Sequence, residues 1–182
     1  MHSLKKILQI LAVSFILFGC NSAKKTDNAQ NESMAEKAPI PLPYTPSYSS
    51  SFIIGNPSYA TMIVQGSWKD WDDNNFDRAG EWMADSVLMV FSNNTTVRGL
   101  DSVTAMGKRA RAMYTSVHTT IDAVIPVYST DRKENWVLVW ADVIQTNKNG
   151  VTDTVGIMET WQINSAGKAA MLLQYDRARR KM

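Results

Sequence analysis

The fold is decided by residues 135–163, which read NWVLVWADVIQTNKNGVTDTVGIMETWQI. Two apolar runs flank Asn149 and Gly150, and this pair of residues accepts the positive φ angles of a tight hairpin turn. The sequence therefore predicts two long antiparallel strands joined by a two-residue turn. In that turn Lys148 lies opposite Val151, which sets the register of the whole hairpin.

Residues that lie opposite each other share a face, so this register collects three tryptophans and two carboxylates on one apolar wall. Glu159 is predicted to lie opposite Trp140, with Asp142 as a diagonal neighbour about 7 Å away. A carboxylate desolvated by aromatic rings has a raised pKa and suits general acid or base chemistry. The alternative is a solvent-facing or dimer-facing wall whose carboxylates pair with lysine or arginine. The predicted wall comprises Trp136, Leu138, Trp140, Asp142, Val155, Ile157, Glu159 and Trp161.

The first residues of the chain predict a targeting signal. A short basic region precedes an apolar run from Ile7 to Phe18. This run is too short to span a bilayer, because a transmembrane helix needs about 20 residues. The run ends in Gly19 and Cys20, and this arrangement resembles the bacterial lipobox. The resemblance implies a signal peptide over residues 1–19, cleavage before Cys20 and acylation of its thiol. The alternative is an ordinary secretory signal with an incidental cysteine.

Residues 20–51 predict a flexible tether. They are rich in Ser, Asn, Ala, Lys and Pro and show no apolar periodicity, so they cannot bury enough surface to offset their ordering entropy. We expect the protein to be held on a membrane of the bacterial cell envelope by the acyl chains on Cys20. Since Cys20 is the only cysteine, no disulfide is expected in the mature chain.

Residues 52–182 predict one α+β domain. Asn56 and Pro57 are typical of a helix start, and apolar residues recur at helical spacing from there to Trp71. Helices followed by a meander of strands favour an antiparallel sheet with the helices on one face. The predicted helices cover 57–71, 76–84 and 101–114, and the predicted strands cover 87–91, 117–128, 136–146, 152–163 and 169–176.

Composition argues against several functions. The net charge is only +2 and no basic cluster is interleaved with aromatic residues, so nucleic acid is not an expected partner. His118 is the only histidine outside the predicted signal peptide, and Cys20 is the only cysteine, so a zinc site is not expected. No glycine-rich phosphate loop follows a strand, and no cofactor is expected.

Three stretches of the domain resemble the nuclear transport factor 2-like superfamily, which includes ketosteroid isomerases and SnoaL-like polyketide cyclases. They are residues 68–91 (WKDWDDNNFDRAGEWMADSVLMVF), residues 98–103 (RGLDSV), and residues 159–163 (ETWQI) together with residues 166–168 (AGK) and 174–176 (QYD). The resemblance implies a cone-shaped fold, in which a curved antiparallel sheet wraps around three N-terminal helices. It also implies a pocket between sheet and helices, and often a homodimer formed through the sheet.

The resemblance does not carry over the isomerase mechanism. The positions of the isomerase aspartate base and tyrosine fall on Phe91 and Ser67, which cannot replace them. We therefore expect a small apolar or aromatic ligand to bind without catalysis. The alternatives are a lyase, isomerase or cyclase that uses Glu159 or Asp142 with His118, and a module whose sheet serves only for dimerisation. Residues predicted to bind the ligand are Trp68, Trp71, Phe91, Trp136, Trp140, Glu159, Trp161 and Tyr175.

Overall fold

The computed structural model describes residues 42–178. The predicted signal peptide, Cys20 and most of the predicted tether lie outside these residues. No helix in the described part is long and apolar enough to cross a membrane. The elements are β1 (Phe52–Ile54), α1 (Pro57–Ile63), a π-helical segment (Val64–Lys69), α2 (Asp70–Asp73), α3 (Ala79–Trp82), β2 (Met83–Val90), β3 (Thr96–Arg98), α4 (Leu100–Arg111), β4 (Tyr114–Ser129), β5 (Glu134–Asn147), β6 (Thr152–Ile163) and β7 (Ala169–Ala178).

One curved, open sheet contains all seven strands of the described chain, in the order β1-β4-β5-β6-β7-β2-β3. The predicted α+β fold is confirmed, since the helices precede the β4–β7 meander and pack on one face of the sheet. One pairing differs from the expected antiparallel pattern, because β2 runs parallel to β7. The α4 helix and the strands β3–β6 lie between them in the chain, which is a long enough connection for a parallel neighbour. The short strands β1 and β3 were not predicted.

The first helical stretch begins at Pro57, as the sequence predicts, and ends at Asp73, two residues beyond the predicted end. The side chain of Asn56 accepts a hydrogen bond from the backbone N–H of Ser58 at 2.9 Å, and Asn74 ends the stretch in the left-handed conformation with φ 56°. A π-helical segment lies in the middle of the stretch. It presents Gly66 to the indole of Trp82, and a Cβ at Gly66 would lie only 2.6 Å from that indole nitrogen. Glycine is therefore required for this close helix contact.

The hairpin loop contains three residues, so the predicted two-residue turn is wrong. Asn147 pairs with Val151, and its backbone N–H donates to the Val151 carbonyl at 2.9 Å. The side-chain oxygen of Asn147 accepts from the N–H groups of Asn149 and Val151, at 2.9 and 3.1 Å. Gly150 has φ 77°, which is the left-handed position that ends a three-residue hairpin loop. The Asn147 side chain stabilises this longer loop.

A shift of the pairing register by one residue moves every side chain of one strand to the opposite face relative to the partner strand. Val139, rather than Trp140, lies opposite Glu159. Glu159 and Trp161 therefore share the face that packs on the helices, while Trp140 and Asp142 lie on the other face. The predicted common wall is wrong for this reason. We call the helix-facing side the inner face and the opposite side the outer face; the inner face of β5 and β6 carries Val137, Val139, Ala141, Val143, Val155, Ile157, Glu159 and Trp161.

Ordered contacts begin ahead of β1, inside the stretch predicted as tether. The ring of Tyr48 meets the edge of Trp136 at 5.9 Å, and the guanidinium of Arg132 lies 4.6 Å from the centre of the Tyr48 ring. The hydroxyl of Ser49 donates to Asp131 at 2.7 Å. Residues 48–51 are thus fastened to the loop between β4 and β5.

Candidate functional site

A cavity of about 340 Å³ lies between the inner face of the sheet and the helices. Its wall is mostly apolar with a few polar groups, which is the usual make-up of a small-molecule site. The aromatic lining residues are Trp68, Trp71, Phe76, Trp82, Phe91, Tyr114 and Trp161. The other lining residues are Gly66, Ser67, Met83, Met89, Val103, Met106, Gly107, Ala110, Met113, Val143, Gln145, Val155, Ile157, Glu159, Leu172, Gln174 and Asp176.

Glu159 is a carboxylate in the middle of β6, on the inner face. Its side chain is buried, with 7% of the residue exposed. Val139 and Gln174 are its partners on the two neighbouring strands, and the indole N–H of Trp161 donates to its Oε2 at 2.8 Å. Burial raises the pKa of Glu159 from 4.5 to about 7, while the hydrogen bond from Trp161 opposes this rise. At neutral pH the group therefore exists in both protonation states, as a proton donor or acceptor requires.

Two further tryptophans bring unpaired donors to the wall. The indole nitrogens of Trp68 and Trp82 are buried, and neither has a hydrogen-bond partner within the described residues. Trp82 also meets Trp161 edge to face, with ring centres 5.4 Å apart and planes at 68°. A buried donor without a partner is costly, and the Trp82 nitrogen packs against Gly66, 2.6 Å from where a Cβ would lie.

Arg111 and Asp72 hold one side of the wall in place. The guanidinium of Arg111 donates to the carbonyls of Trp71, Asp72 and Tyr114, at 2.9, 3.2 and 3.2 Å. The carboxylate of Asp72 accepts from the N–H and hydroxyl of Thr119, at 3.0 and 2.7 Å. These bonds join α2 to the end of α4 and to β4. They position the aromatic rings of Trp71 and Tyr114 at the cavity.

The structure brings five of the eight predicted ligand-binding residues to this cavity. They are Trp68, Trp71, Phe91, Glu159 and Trp161. The other three, Trp136, Trp140 and Tyr175, are on the outer face, where Tyr175 pairs with Met158 and Met158 pairs with Trp140. Phe91 and Ser67, the positions at which the isomerase base and tyrosine are expected, both line the cavity.

Asp142 and His118 are separated from Glu159 by the sheet. Asp142 lies on the outer face, opposite Gly156, and His118 is exposed on that face, opposite Ile144. The predicted diagonal contact between Asp142 and Glu159 is therefore wrong. Among residues 42–178, no group of three or more His, Cys, Asp or Glu side chains is placed to hold a metal ion.

Two polar lining residues, Gln174 and Asp176, escaped the sequence analysis as site residues. Gln174 is directly opposite Glu159, and Asp176 is opposite Ile157. The carboxylate of Asp176 accepts a hydrogen bond from the hydroxyl of Ser92 at 2.6 Å. The turn at residues 164–167 was the available signal, because its length fixes which β7 residues share the inner face with Glu159.

Comparisons with known proteins identify the fold. No protein-family model matches the sequence, and neither does any curated protein. Solved structures do match. A protein from Catenulispora acidiphila with a ketosteroid isomerase-like fold, in complex with trimethylamine, is 18% identical over 66% of this chain and 86% of its own, with a TM-score of 0.53.

Two other solved structures match to a similar degree. A SnoaL-like polyketide cyclase from a Jannaschia species is 15% identical over 64% of this chain and 85% of its own, with a TM-score of 0.51. A Mycobacterium tuberculosis protein in complex with estradiol-17β-hemisuccinate is 17% identical over 64% of this chain and 92% of its own, with a TM-score of 0.52. The domain therefore has the nuclear transport factor 2-like fold, as the sequence predicts.

Proposed function

We propose that this chain is a lipid-anchored envelope protein whose domain binds a small apolar or aromatic ligand in the cavity. The observation that carries the proposal is the cavity itself, about 340 Å³ in volume and lined by seven aromatic side chains around one buried carboxylate. Aromatic walls give a flat or apolar ligand a large contact area, and the few polar groups fix its orientation. Fold neighbours with trimethylamine or an estradiol ester in their structures support a ligand-binding use of this cavity.

Thermal unfolding of the full chain with a panel of aromatic compounds of increasing volume tests the proposal. A ligand that binds only the native state raises the melting temperature, and the shift grows with the logarithm of its concentration relative to its Kd. Ala110 lines the cavity, so Ala110→Trp fills it and should abolish the shift. Ala105 is exposed on the same helix, and Ala105→Trp should leave the shift unchanged. If no compound stabilises the unsubstituted chain, the binding function is wrong.

A second candidate function is acid–base catalysis by Glu159. The specific observation is the buried carboxyl of Glu159 in the cavity wall, since burial raises its pKa to about 7, near the pH at which a general base works best. The reaction class would be a lyase, isomerase or cyclase step that moves a proton on the bound ligand. Asp142 and His118 are on the outer face, so Glu159 would act without them.

Proton exchange separates catalysis from binding. A ketone found by the thermal screen would be incubated with the chain in deuterated water, and loss of its α-proton signal followed by NMR. Catalysis predicts exchange with the unsubstituted chain and none with Glu159→Gln. If both proteins bind the ketone and neither accelerates exchange, the domain is a binding module.

Anchoring through Cys20 is the second part of the proposal. Its support is the apolar run that ends in Gly19 and Cys20, since two or more acyl chains give stable membrane attachment. Cys20→Ser should leave the chain unprocessed or release it from membranes. If the variant stays with the membrane after salt and carbonate washing, the anchor is not the lipid.

A homodimer through the outer face is the third part. The outer face carries Ile125, Ile144 and Tyr175, which are 37%, 44% and 60% exposed, and apolar exposure of this kind favours a protein contact. Tyr175→Lys should lower the association constant in sedimentation equilibrium. Tyr44 is 83% exposed outside the sheet, so Tyr44→Lys is the control. A monomer at every concentration would rule the dimer out.

A further inference from the structure

The ionisable residues that line the cavity are acids. Glu159 and Asp176 can carry negative charge there, and Tyr114 adds a phenol. Within the described chain, no lysine, arginine or histidine belongs to the lining. The only charge that these lining side chains can carry near neutral pH is therefore negative, and a ligand of opposite charge would neutralise it.

The cation next to the wall is already bound to the protein. Arg111 is buried with 8% exposed, and all three of its nitrogens donate to backbone carbonyls of Trp71, Asp72 and Tyr114. These bonds hold the guanidinium at the backbone of α2 and of the first residue of β4. It does not form a hydrogen bond or ion pair with Glu159 in the structure.

The aromatic rings present their faces and edges at different angles. Trp82 and Trp161 meet at 68°, and Trp71 and Phe76 meet at 85° with ring centres 6.1 Å apart. Seven aromatic side chains line the same cavity, and a π face attracts a cation within about 6 Å of the ring centre. The indole N–H of Trp161 donates to the Glu159 carboxylate, so this carboxyl lies beside the ring pair of Trp82 and Trp161.

We infer that the cavity takes an organic cation of the tertiary or quaternary ammonium class, with Glu159 as its counter-ion and the aromatic rings around its alkyl groups. This inference rests on the proposed function, because it names the ligand class of the same cavity. The physical reason is that a buried carboxylate without a cationic partner is expensive, and a cationic ligand supplies that partner. Ammonium groups that carry alkyl substituents also lose less hydration on entering an apolar wall than a bare ammonium does.

Binding of such a cation is coupled to the ionisation of Glu159. The groups that face Glu159 from neighbouring elements are Val139 of β5, Gln174 of β7 and the indoles of the helices, with Asp176 further along β7. A cation beside Glu159 favours its charged form, so binding releases a proton when the free group is protonated. Since the pKa of free Glu159 is about 7, affinity should rise by about tenfold between pH 6 and pH 8.

The test compares benzyltrimethylammonium with its neutral isostere neopentylbenzene on the full chain. Calorimetric titration at pH 6, 7 and 8, in buffers of different ionisation enthalpy, reports both affinity and protons released. The inference expects tighter binding of the cation, proton release near pH 7, and loss of both effects in Glu159→Gln. Asp122→Asn, an exposed substitution in β4, is the matched control and should behave as the unsubstituted chain.

Each other outcome overturns the inference in a distinct way. Equal or tighter binding of neopentylbenzene leaves the apolar cavity as proposed but removes the cation preference, and favours an uncharged ligand that meets the unpaired indole donors. Loss of cation binding in Asp176→Asn but not in Glu159→Gln places the counter-ion at Asp176. If neither compound binds, the cation preference and the binding cavity fail together.

Discussion

Replacing Glu159 by glutamine should stabilise the protein at neutral and alkaline pH. The pKa of this carboxyl is raised from 4.5 to about 7 by burial. One pKa unit corresponds to about 1.4 kcal/mol, so the ionised group destabilises the folded state by about 3 kcal/mol at most. Glutamine keeps the shape, and its carbonyl oxygen can still accept the hydrogen bond from Trp161.

The sign follows from the protons bound in each state. Between pH 4.5 and about 7 the unfolded chain has lost the Glu159 proton and the folded chain still holds it. The free energy of unfolding of the unsubstituted protein should therefore fall as the pH rises through this window. Above about pH 7 the contribution of Glu159 to this fall should stay constant. The variant lacks the titrating group, so the difference in unfolding free energy between the two proteins should grow with pH and level off.

Urea unfolding at pH 5, 6, 7 and 8 measures this difference directly. The expected gain for Glu159→Gln is about 1 kcal/mol at pH 5 and about 3 kcal/mol at pH 8. Asp122→Asn removes one exposed carboxyl and serves as the control for the change in net charge. A difference that stays flat from pH 5 to 8 would refute the buried, raised-pKa carboxyl, and with it the acid–base role.

Two further predictions concern packing at the helices and at the start of the domain. Gly66→Ala should lower the urea midpoint by an amount equivalent to about 1–3 kcal/mol, because the new Cβ would lie 2.6 Å from the Trp82 indole nitrogen. At Gly80 a new Cβ would meet nothing nearer than 3.4 Å, so Gly80→Ala is the control and should be neutral. Equal effects of the two substitutions would contradict the tight contact at Gly66. Tyr48→Ala should lower the free energy of unfolding by about 1–2 kcal/mol, because the Tyr48 ring contacts both an indole and a guanidinium. Tyr44 is exposed, so Tyr44→Ala is the control and should leave the melting temperature unchanged. An unchanged melting temperature in Tyr48→Ala would show that residues 48–51 are not held to the domain.

The sequence predicts the helices and strands well where a local feature, such as a capping side chain or an alternating apolar pattern, determines the element. The cap at Asn56, the left-handed Asn74 and the alternation along β6 are read from neighbouring residues alone. The second helix was predicted too long, since Met83 and Ala84 belong to β2. The pairing of Met83 with Ala169 of β7 decides this, and that is a tertiary effect which local propensity does not contain.

The cavity was only partly predictable, because it depends on which faces of distant elements meet. Trp68 and Trp71 were expected at the site because aromatic side chains suit a flat or apolar ligand, and they do line the cavity. Trp82 escaped because its position depends on Gly66, a contact between separate helices. The parallel pairing of β2 with β7 brings Met89 beside Leu172, and no local pattern indicates this pairing.

The position of Glu159 illustrates where strand alternation stops being sufficient. Alternation alone assigns Glu159 to the same face as Ile157 and Trp161, whatever β6 pairs with. It does not choose between the two faces of β5, since both are apolar. The structure puts the small β-branched residues of β5 under the helices and its larger tryptophans on the outer face, where Tyr48 covers Trp136. Glu159 is then an ionisable residue in an otherwise apolar inner row of β6, and its burial there is what the proposed ligand-binding function would use.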